Sequence, residues 1–154
     1  FIAPDAADPR PEVLKRLKDL LGDKGSIVAY NAPFEVSALE GSAGIYTEYA
    51  DWVEEIKKRV VDLLEPFRAF YFYHPKQEGS NSLKAVLPAL TGMSYKEMEI
   101  AEGGMASREY ARVTFGEGIS PEERKKVYDA LEKYCALDTQ GMIDIVDVLR
   151  HSCI

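Results

Sequence analysis

A short, nearly continuous apolar run at residues 26–30 (SIVAY) sets the strongest limit on how this chain folds. An apolar run of this length between polar segments is typical of a strand buried on both faces, and such strands belong to parallel sheets. Consecutive parallel strands need a crossover connection, which is usually a helix. The run therefore predicts an α/β fold.

Patterns on either side of this run predict two helices. Residues 11–21 place one valine and four leucines on a broad apolar face, with Pro11 in the first turn and Gly22 as the stop. After the apolar run, Asn31 is expected to cap a second helix, and Pro33 suits its first turn. The order of helix, strand and helix suggests an α/β or α+β layer fold, and we expect the α/β class.

A second strand is predicted at residues 59–64 (RVVDLL), ending at Asp62, after a helix over residues 46–58. Two strands are too few for an independent sheet. Either the aromatic run at residues 67–73 (FRAFYFY) adds a strand, or further strands precede Phe1. We expect upstream strands in either case, so the sequence predicts a single domain that is truncated at its N-terminus.

Helical patterns dominate the rest of the sequence. Residues 74–82 predict a loop rich in Gly, Ser and Asn, and Ser82 is expected to cap the helix that follows. Another helix is predicted at residues 104–113. Residues 120–123 (SPEE) have the spacing of a capping box, and they begin a long helical stretch that runs to about Leu149.

The composition indicates a folded protein rather than a disordered or membrane-spanning one. Hydrophobic residues make up 46% and charged residues 29% of the 154 residues, and no apolar run approaches the roughly 18 residues of a membrane span. The N-terminus lacks the features of a signal peptide. Neither Cys135 nor Cys153 sits in a CxxC pair, so we expect a reducing, cytoplasmic setting, with Cys135 packed in the core.

The formal net charge of −7 argues against a protein whose main role is to coat nucleic acid, because neutralising phosphates needs clustered Lys and Arg. It does not exclude a nuclease. Metal-dependent nucleases gather carboxylates, and the bound cations then reverse the local charge.

A stripe along the long helix contains one carboxylate. Its members are three or four residues apart and share one helical face: Val127, Leu131, Tyr134, Asp138, Met142, Ile145 and Leu149. A carboxylate on a core-facing stripe costs several kcal/mol unless it is paired or bound to a metal, so Asp138 is a candidate functional residue. The alternative is that Asp138 caps a new helix after a break at residues 136–137.

A second candidate follows the apolar run, in residues 30–35 (YNAPFE). Glu35 lies just beyond the carboxyl end of a predicted parallel strand, where α/β folds place their sites. The alternative is that Glu35 only favours the helix N-terminus through the helix dipole. Asp62, at the end of the second strand, is expected to be structural.

These segments together resemble the DEDD (DnaQ-like) 3′–5′ exonuclease superfamily, which has a ribonuclease-H-like fold of a layered sheet with flanking helices. YNAPFE resembles the second motif of that superfamily, in which an Asn and an aromatic residue precede the acid; here they are Asn31 and Phe34, with Glu35 where Asp is usual. YCALD, from Tyr134 to Asp138, matches the Tyr-x-x-x-Asp motif of the tyrosine subgroup. Between them, RVVDLL and the later SLKAVLPALTG look like the corresponding segment of ribonuclease D and related proofreading domains.

The segment FYHPKQEGSNSLKAVLPALTGMSYKEMEI, with the later YCALDTQGM, also resembles an uncharacterised bacterial domain family assigned to the same exonuclease group. In some members of that family a separate nuclease-like region lies upstream in the same protein. This resemblance implies a nuclease and names no substrate.

The resemblance to the exonucleases implies two-metal hydrolysis of single-stranded DNA or RNA with Mg²⁺ or Mn²⁺. Asp138 would be a metal ligand, and Tyr134 would orient or help deprotonate the attacking water. Glu35 would take the second-motif role as a further catalytic and metal-binding acid. Asn31 and Phe34 would contact the substrate.

The Asp-x-Glu pair that forms the first motif of the family does not occur in a strand context before residues 30–35. We therefore expect this chain by itself to bind metal weakly and to cleave poorly. The competing hypothesis is a non-catalytic domain that binds nucleic acid or protein. The Glu at position 35 and the acidic net charge favour that alternative, whereas Tyr134 and Asp138 favour the enzyme.

A loop rich in polar residues carries Lys76 and Lys84, and the aromatic residues 71–73 lie next to it. Aromatic rings beside basic groups stack bases and hold phosphates in proteins that bind single strands, so both lysines are candidate substrate contacts. The alternative is that Phe70 and Phe72 belong to the core and that the lysines are only solvated.

Overall fold

The computed structural model describes residues 1–152 and divides into two compact units. Residues 8–86 form one unit, here called the sheet unit, and residues 1–7 with 87–152 form the other, here called the helical unit. The prediction of one domain stays a prediction. Cys153 lies outside the described residues.

The sheet unit alternates helices with two short strands, so the predicted mixture of α and β structure is confirmed. In chain order its elements are α1 (Arg10–Leu21), β1 (Ile27–Ala29), α2 (Ala32–Ala43), a 3₁₀ helix (Thr47–Tyr49), α3 (Ala50–Lys57), β2 (Val60–Asp62), α4 (Glu65–Arg68) and a second 3₁₀ helix (Pro75–Gln77). The helix α5 (Leu83–Thr91) begins in this unit and ends in the other. The predicted ranges for α1 and for both strands differ from these bounds by one or two residues.

The two strands pair in parallel, with Ile27 opposite Val60 and Ala29 opposite Asp62. The predicted end of the second strand at Asp62 is confirmed. The expectation of a strand buried on both faces is wrong, because Val28 is 38% exposed and its neighbour across the sheet, Val61, is 49% exposed. In the part of the chain that the structure describes, the sheet has two strands, and solvent reaches the face that carries this valine pair.

The aromatic run after β2 does not add a strand. Glu65 and Pro66 begin the short helix α4 instead, and the run continues into a turn in which the Phe70 amide donates to the Phe67 carbonyl. Proline suits the first helical turn because its missing N–H would have no partner there. Phe67 fills the core of the unit, and its ring contacts those of Tyr30 and Phe72 at centroid distances of 6.4 and 6.0 Å.

Arg59 fixes the connection between α1 and β1. Its guanidinium donates to the carbonyls of Leu21, Gly22, Lys24 and Gly25 over 2.5–2.8 Å. Its own carbonyl accepts from the Ile27 amide at 2.9 Å, at the start of the sheet. One side chain therefore satisfies carbonyls at the end of α1 that the helix leaves without partners.

The helical unit is built around α6 (Gly103–Phe115) and α7 (Pro121–Ser152), which pack on each other. Its buried side chains include Leu87, Val113, Leu131 and Ile145. The helix predicted at residues 104–113 is confirmed and is slightly longer. Within residues 1–152, none of the helices combines the length and the hydrophobicity that crossing a membrane requires.

The N-terminus of α7 confirms half of the predicted capping box. The Ser120 hydroxyl accepts from the Glu123 amide at 3.1 Å. The Glu123 carboxylate was expected to return to the Ser120 amide, but it accepts from the Arg112 guanidinium at 2.6 Å. The physical reason is that a hydrogen bond between two charged groups is stronger than one to a neutral amide.

Candidate functional site

The stripe on α7 faces the interior of the helical unit along its whole length. Leu131 is 5% and Ile145 0% exposed, and the other five members, including Asp138, are half-buried. The helix is continuous over 32 residues, and the Thr139 hydroxyl donates to the Cys135 carbonyl one turn earlier. The alternative of a helix break before Asp138 is therefore wrong, and its carboxylate is not needed as a cap because helical hydrogen bonding continues through it.

The Asp138 carboxylate is held by a phenol from a distant part of the sequence. Tyr95 donates from Oη to Asp138 Oδ1 at 2.5 Å, and Tyr95 is 5% exposed. Burial, and then the hydrogen bond to Asp138 and its negative charge, raise the pKa of Tyr95 well above its usual value. Tyr95 is therefore a neutral donor at ordinary pH, and it fixes one oxygen of the carboxylate.

Tyr134 lies in the same cluster, one turn before Asp138. Its ring contacts that of Tyr95 at a centroid distance of 5.8 Å. Partial burial, and then the charge of Asp138, raise the pKa of Tyr134, and Glu102 makes a smaller contribution. The site in the helical unit is thus one carboxylate with two neutral phenols, and Glu102 is close enough to influence one of them.

Close packing fixes the next turn of α7. A β-carbon at Gly141 would lie 2.7 Å from Leu87 Cδ2, closer than such atoms approach, and Leu87 is fully buried. A glycine at position 141 therefore lets α7 approach Leu87 of α5 closely, one turn after Asp138.

Cys135 is exposed, so the expectation that it packs in the core is wrong.

In the sheet unit, Asp62 joins the carboxyl ends of the two strands. Its Oδ1 accepts from the amides of Asn31 and Leu64 at 2.9 and 3.0 Å. Asp62 is therefore structural, as expected. Asn31 does precede α2, but its side chain makes no capping hydrogen bond and its backbone is left-handed, with φ 67°. The predicted side-chain cap is wrong, because capping residues have an extended backbone and that of Asn31 is left-handed.

The predicted substrate-contact and acidic residues at the start of α2 reach solvent. Asn31 and Glu35 are exposed, and the Phe34 side chain is 72% exposed. Just before them, the Tyr30 hydroxyl donates to the Asn81 carbonyl at 2.6 Å. Burial, with a smaller contribution from the charge of Asp62, raises the pKa of Tyr30 well above its usual value. The carboxyl ends of the two strands are therefore accessible to solvent. The Asp62 carboxylate at this edge already accepts hydrogen bonds from backbone amides.

The segment predicted as a loop contains an ordered 3₁₀ turn that presents Lys76. His74 Nδ1 accepts from the Lys76 amide at 3.2 Å, and the Gln77 side chain accepts from the His74 amide at 2.8 Å. Gln77 is 3% exposed, and it also donates to the Ser80 carbonyl. Both Lys76 and Lys84 are exposed, as their proposed role requires.

The aromatic residues before this turn divide between core and surface. Phe72 is half-buried and Phe70 is 68% exposed, so the alternative that both belong to the core is wrong for Phe70. Tyr71 and Tyr73 are 82% and 45% exposed. Phe67, earlier in the same run, is buried, at 1% exposed.

The predicted site residues thus fall into two groups. Tyr134 and Asp138 lie together in the helical unit, whereas Asn31, Phe34, Glu35, Lys76 and Lys84 belong to the sheet unit. Sequence reasoning missed Tyr95. The sequence indicated the need for such a residue only indirectly, because a carboxylate on an apolar stripe requires a hydrogen-bond donor. The pattern does not show which of the nine tyrosines is that donor.

The side chains that contact Asp138 are phenols. Among residues 1–152, no three His, Cys, Asp or Glu side chains lie together in a way that could hold a metal ion. Mg²⁺ and Mn²⁺ prefer carboxylate and other oxygen ligands, and the neighbours of Asp138 that touch it are neutral phenols. A metal would have to draw ligands from beyond this cluster.

Comparison with known proteins gives one match. Residues 1–82 match the family described as a domain of unknown function (DUF2779). No curated protein and no solved structure matches the chain. The matched segment covers 82 of the 154 residues and includes the strand pair, Glu35 and Lys76. Because the match extends over more than half of its length, the chain belongs to the DUF2779 family.

Proposed function

We propose that this chain carries the Tyr-x-x-x-Asp part of a metal-dependent 3′–5′ exonuclease domain. In this proposal the fold is ribonuclease-H-like, the substrate is single-stranded DNA or RNA, and the protein acts in the cytoplasm. A nuclease-like domain elsewhere in the same natural protein is a further expectation. The single observation that supports the proposal is the Asp138 carboxylate, which lies on a buried stripe beside Tyr134.

A scaffold gains nothing from a carboxylate at this place, because burying a charge is unfavourable and an apolar side chain would pack better. Asp138 lies in a continuous helix whose backbone groups bond to each other, so the carboxylate does not satisfy the backbone. The Tyr95 hydroxyl holds one of its oxygens, and the neutral Tyr134 phenol lies one turn away. This arrangement presents a fixed negative charge beside a hydroxyl that can orient a water molecule.

The proposal takes Mg²⁺ or Mn²⁺ as cofactor. Asp138 is the candidate ligand in the helical unit, and Glu35 in the sheet unit stays a candidate from its sequence motif. Within residues 1–152, Asp138 is the one carboxylate that contacts the two phenols, so we expect this chain to bind the metal weakly and to have low nuclease activity.

The test is a nuclease assay of this chain on 5′-labelled single strands with Mn²⁺, run at high protein concentration. Asp138→Asn should reduce cleavage about 100-fold, because removing the charge of a metal ligand should cost at least as much as removing one of the groups that support such a ligand. Asp147→Asn, on the exposed side of the same helix, is the matched control and should leave cleavage unchanged. Strong Mn²⁺-dependent cleavage that survives Asp138→Asn would contradict the proposal.

A second candidate function is a domain that keeps the fold and binds nucleic acid without cleaving it. The observation that favours it is that the Asp138 carboxylate already has a partner in the Tyr95 hydroxyl, which donates to Oδ1. The same assay separates the two functions. Binding of single strands by this chain with no cleavage in Mn²⁺ would support the second candidate over the first.

A further inference from the structure

Three aromatic side chains within four residues of the sheet unit are exposed. Phe70, Tyr71 and Tyr73 are 68%, 82% and 45% exposed, and they are here called the aromatic surface. Nearby apolar positions of the core are already filled by Phe67, which is 1% exposed. Large rings held in water are unfavourable in a monomer, and grouped exposed apolar side chains commonly mark a binding surface. The fold of the unit therefore does not explain these three rings.

The backbone holds the aromatic surface in a strained conformation. Phe70 has a left-handed backbone, with φ 56°, at the second residue after α4, where glycine is the usual residue. A bulky side chain at positive φ is uncommon, and such conformations cluster at ligand sites where the surroundings enforce them. Phe70 occupies a position where glycine would be more favourable, which indicates that its ring has a function.

The rings are also fixed relative to each other. The Tyr73 hydroxyl accepts from the Gly79 amide at 3.2 Å, which limits the rotation of the ring. The centroids of Phe70 and Tyr73 are 5.9 Å apart with a 41° tilt between the planes. Phe70 and Tyr73 are thus exposed rings held at a fixed angle to each other. Binding by stacking flat groups requires rings that are fixed in this way.

The segment that carries these rings is basic within an acidic chain. Residues 67–84 contain three basic side chains, Arg68, Lys76 and Lys84, and one acidic side chain, Glu78, whereas the whole chain has a net charge of −7. Arg68 pairs with Glu65, which leaves the exposed Lys76 and Lys84 as the cations available to an anionic ligand. A ligand with flat rings and a negative backbone fits this combination of aromatic faces and lysines.

We propose that the aromatic surface binds single-stranded nucleic acid by stacking its bases on Phe70, Tyr71 and Tyr73, while Lys76 and Lys84 contact phosphates. The inference rests on the proposed function for its ligand class, but it requires neither metal nor cleavage. Stacking needs unpaired bases, so a duplex binds more weakly. Every base offers a flat face, so binding tolerates changes of sequence.

The test measures fluorescence anisotropy of a fluorescein-labelled 12-mer of deoxythymidine with the full chain, in EDTA and at low salt. Tyr71→Ala and Phe70→Gly should each weaken binding about tenfold, as loss of one stacked base predicts. Phe70→Gly removes the ring and suits the left-handed backbone, so its thermal midpoint should not fall. Phe115→Ala, a 62% exposed ring in the helical unit, is the matched control and should bind like the wild type.

Further arms identify the ligand and separate this inference from the proposed exonuclease. A 12-mer of uridine should bind within a few-fold of the DNA strand, and a blunt duplex of the same length should bind at least about tenfold more weakly. Wild-type affinity in both ring variants, equal affinity for duplex, or no binding by the wild type would overturn the inference. Asp138→Asn should reduce cleavage in Mn²⁺ and leave this binding intact. Ring-dependent binding with no cleavage by the wild type would mean that the exonuclease proposal alone failed, and Asp138-dependent cleavage with no effect of the ring variants would mean that this inference alone failed.

Discussion

Charged side chains have different partners in the two units of this protein. In the sheet unit, Arg59 donates to four backbone carbonyls and Asp62 accepts from two backbone amides. In the helical unit, Asp138 meets the side chain of Tyr95, and it lies in a helix whose backbone bonds internally. Both carboxylates are half-buried, so burial alone does not tell them apart.

This difference distinguishes a charged side chain that stabilises the fold from one that is a candidate for function. A charge that satisfies orphan backbone groups has a clear role in stability, because unpaired backbone groups away from water are costly. Asp138 has no such role, and its partner hydroxyl could be exchanged for another ligand without breaking secondary structure. Removal of charge should therefore cost more stability in the sheet unit than in the helical unit.

The largest effect is expected at Arg59. Arg59→Met keeps much of the aliphatic stem and removes every hydrogen bond to the α1–β1 connection, so the free energy of unfolding should fall by about 3 kcal/mol. Urea denaturation followed by circular dichroism measures this. Arg59→Lys should recover less than half of the loss, because an ammonium group cannot reach all four carbonyls. Lys58→Met, at the exposed neighbouring position, should change stability by less than about 0.5 kcal/mol.

A smaller loss is expected at Asp62. Asp62→Ala leaves the amides of Asn31 and Leu64 without their acceptor, which should lower the free energy of unfolding by about 2 kcal/mol. Asp62→Asn keeps a side-chain oxygen and should recover about half of that loss. The exposed Asp23→Ala is the control. If Asp62→Ala were as stable as this control in urea, the distinction between the two carboxylates would be wrong.

The smallest effect on stability is expected at Asp138. Asp138→Asn keeps an oxygen that accepts from Tyr95 and removes a half-buried charge, so the free energy of unfolding should change by less than about 1 kcal/mol in either direction. Urea denaturation of this variant beside Asp62→Asn makes the comparison direct. A loss at Asp138 that equals or exceeds the loss at Asp62 would show that Asp138 is structural too.

The sequence predicted the elements well where local patterns decide them. Residues 26–30 and 59–64 contain the two strands, and the predicted end at Asp62 is correct because the register of the parallel pair stops there. The turn after α4 could not be predicted, because a phenylalanine with positive φ contradicts the local preference. The exposure of Val28 was missed because an apolar run does not reveal how many strands and helices cover it.

The candidate site was predicted in part. Helical spacing placed Asp138 on the buried face of α7, since periodicity is a local property that the structure preserves. Its contact with Tyr95 spans 43 residues of sequence, and no local pattern encodes such a pairing. The accessibility of Phe70 likewise depends on Phe67 filling the core, which only the folded packing decides.

The length of α7 has a consequence for motion around Asp138. At about 1.5 Å per residue the helix is roughly 48 Å long, and Asp138 lies seventeen residues after its start at Pro121 and fourteen before Ser152. Fraying opens only the terminal turns of a helix, so it does not reach this position. The amide protons around Asp138 should therefore exchange with solvent only when the packed centre of the helical unit opens, and the carboxylate keeps its place while both ends of the helix fluctuate.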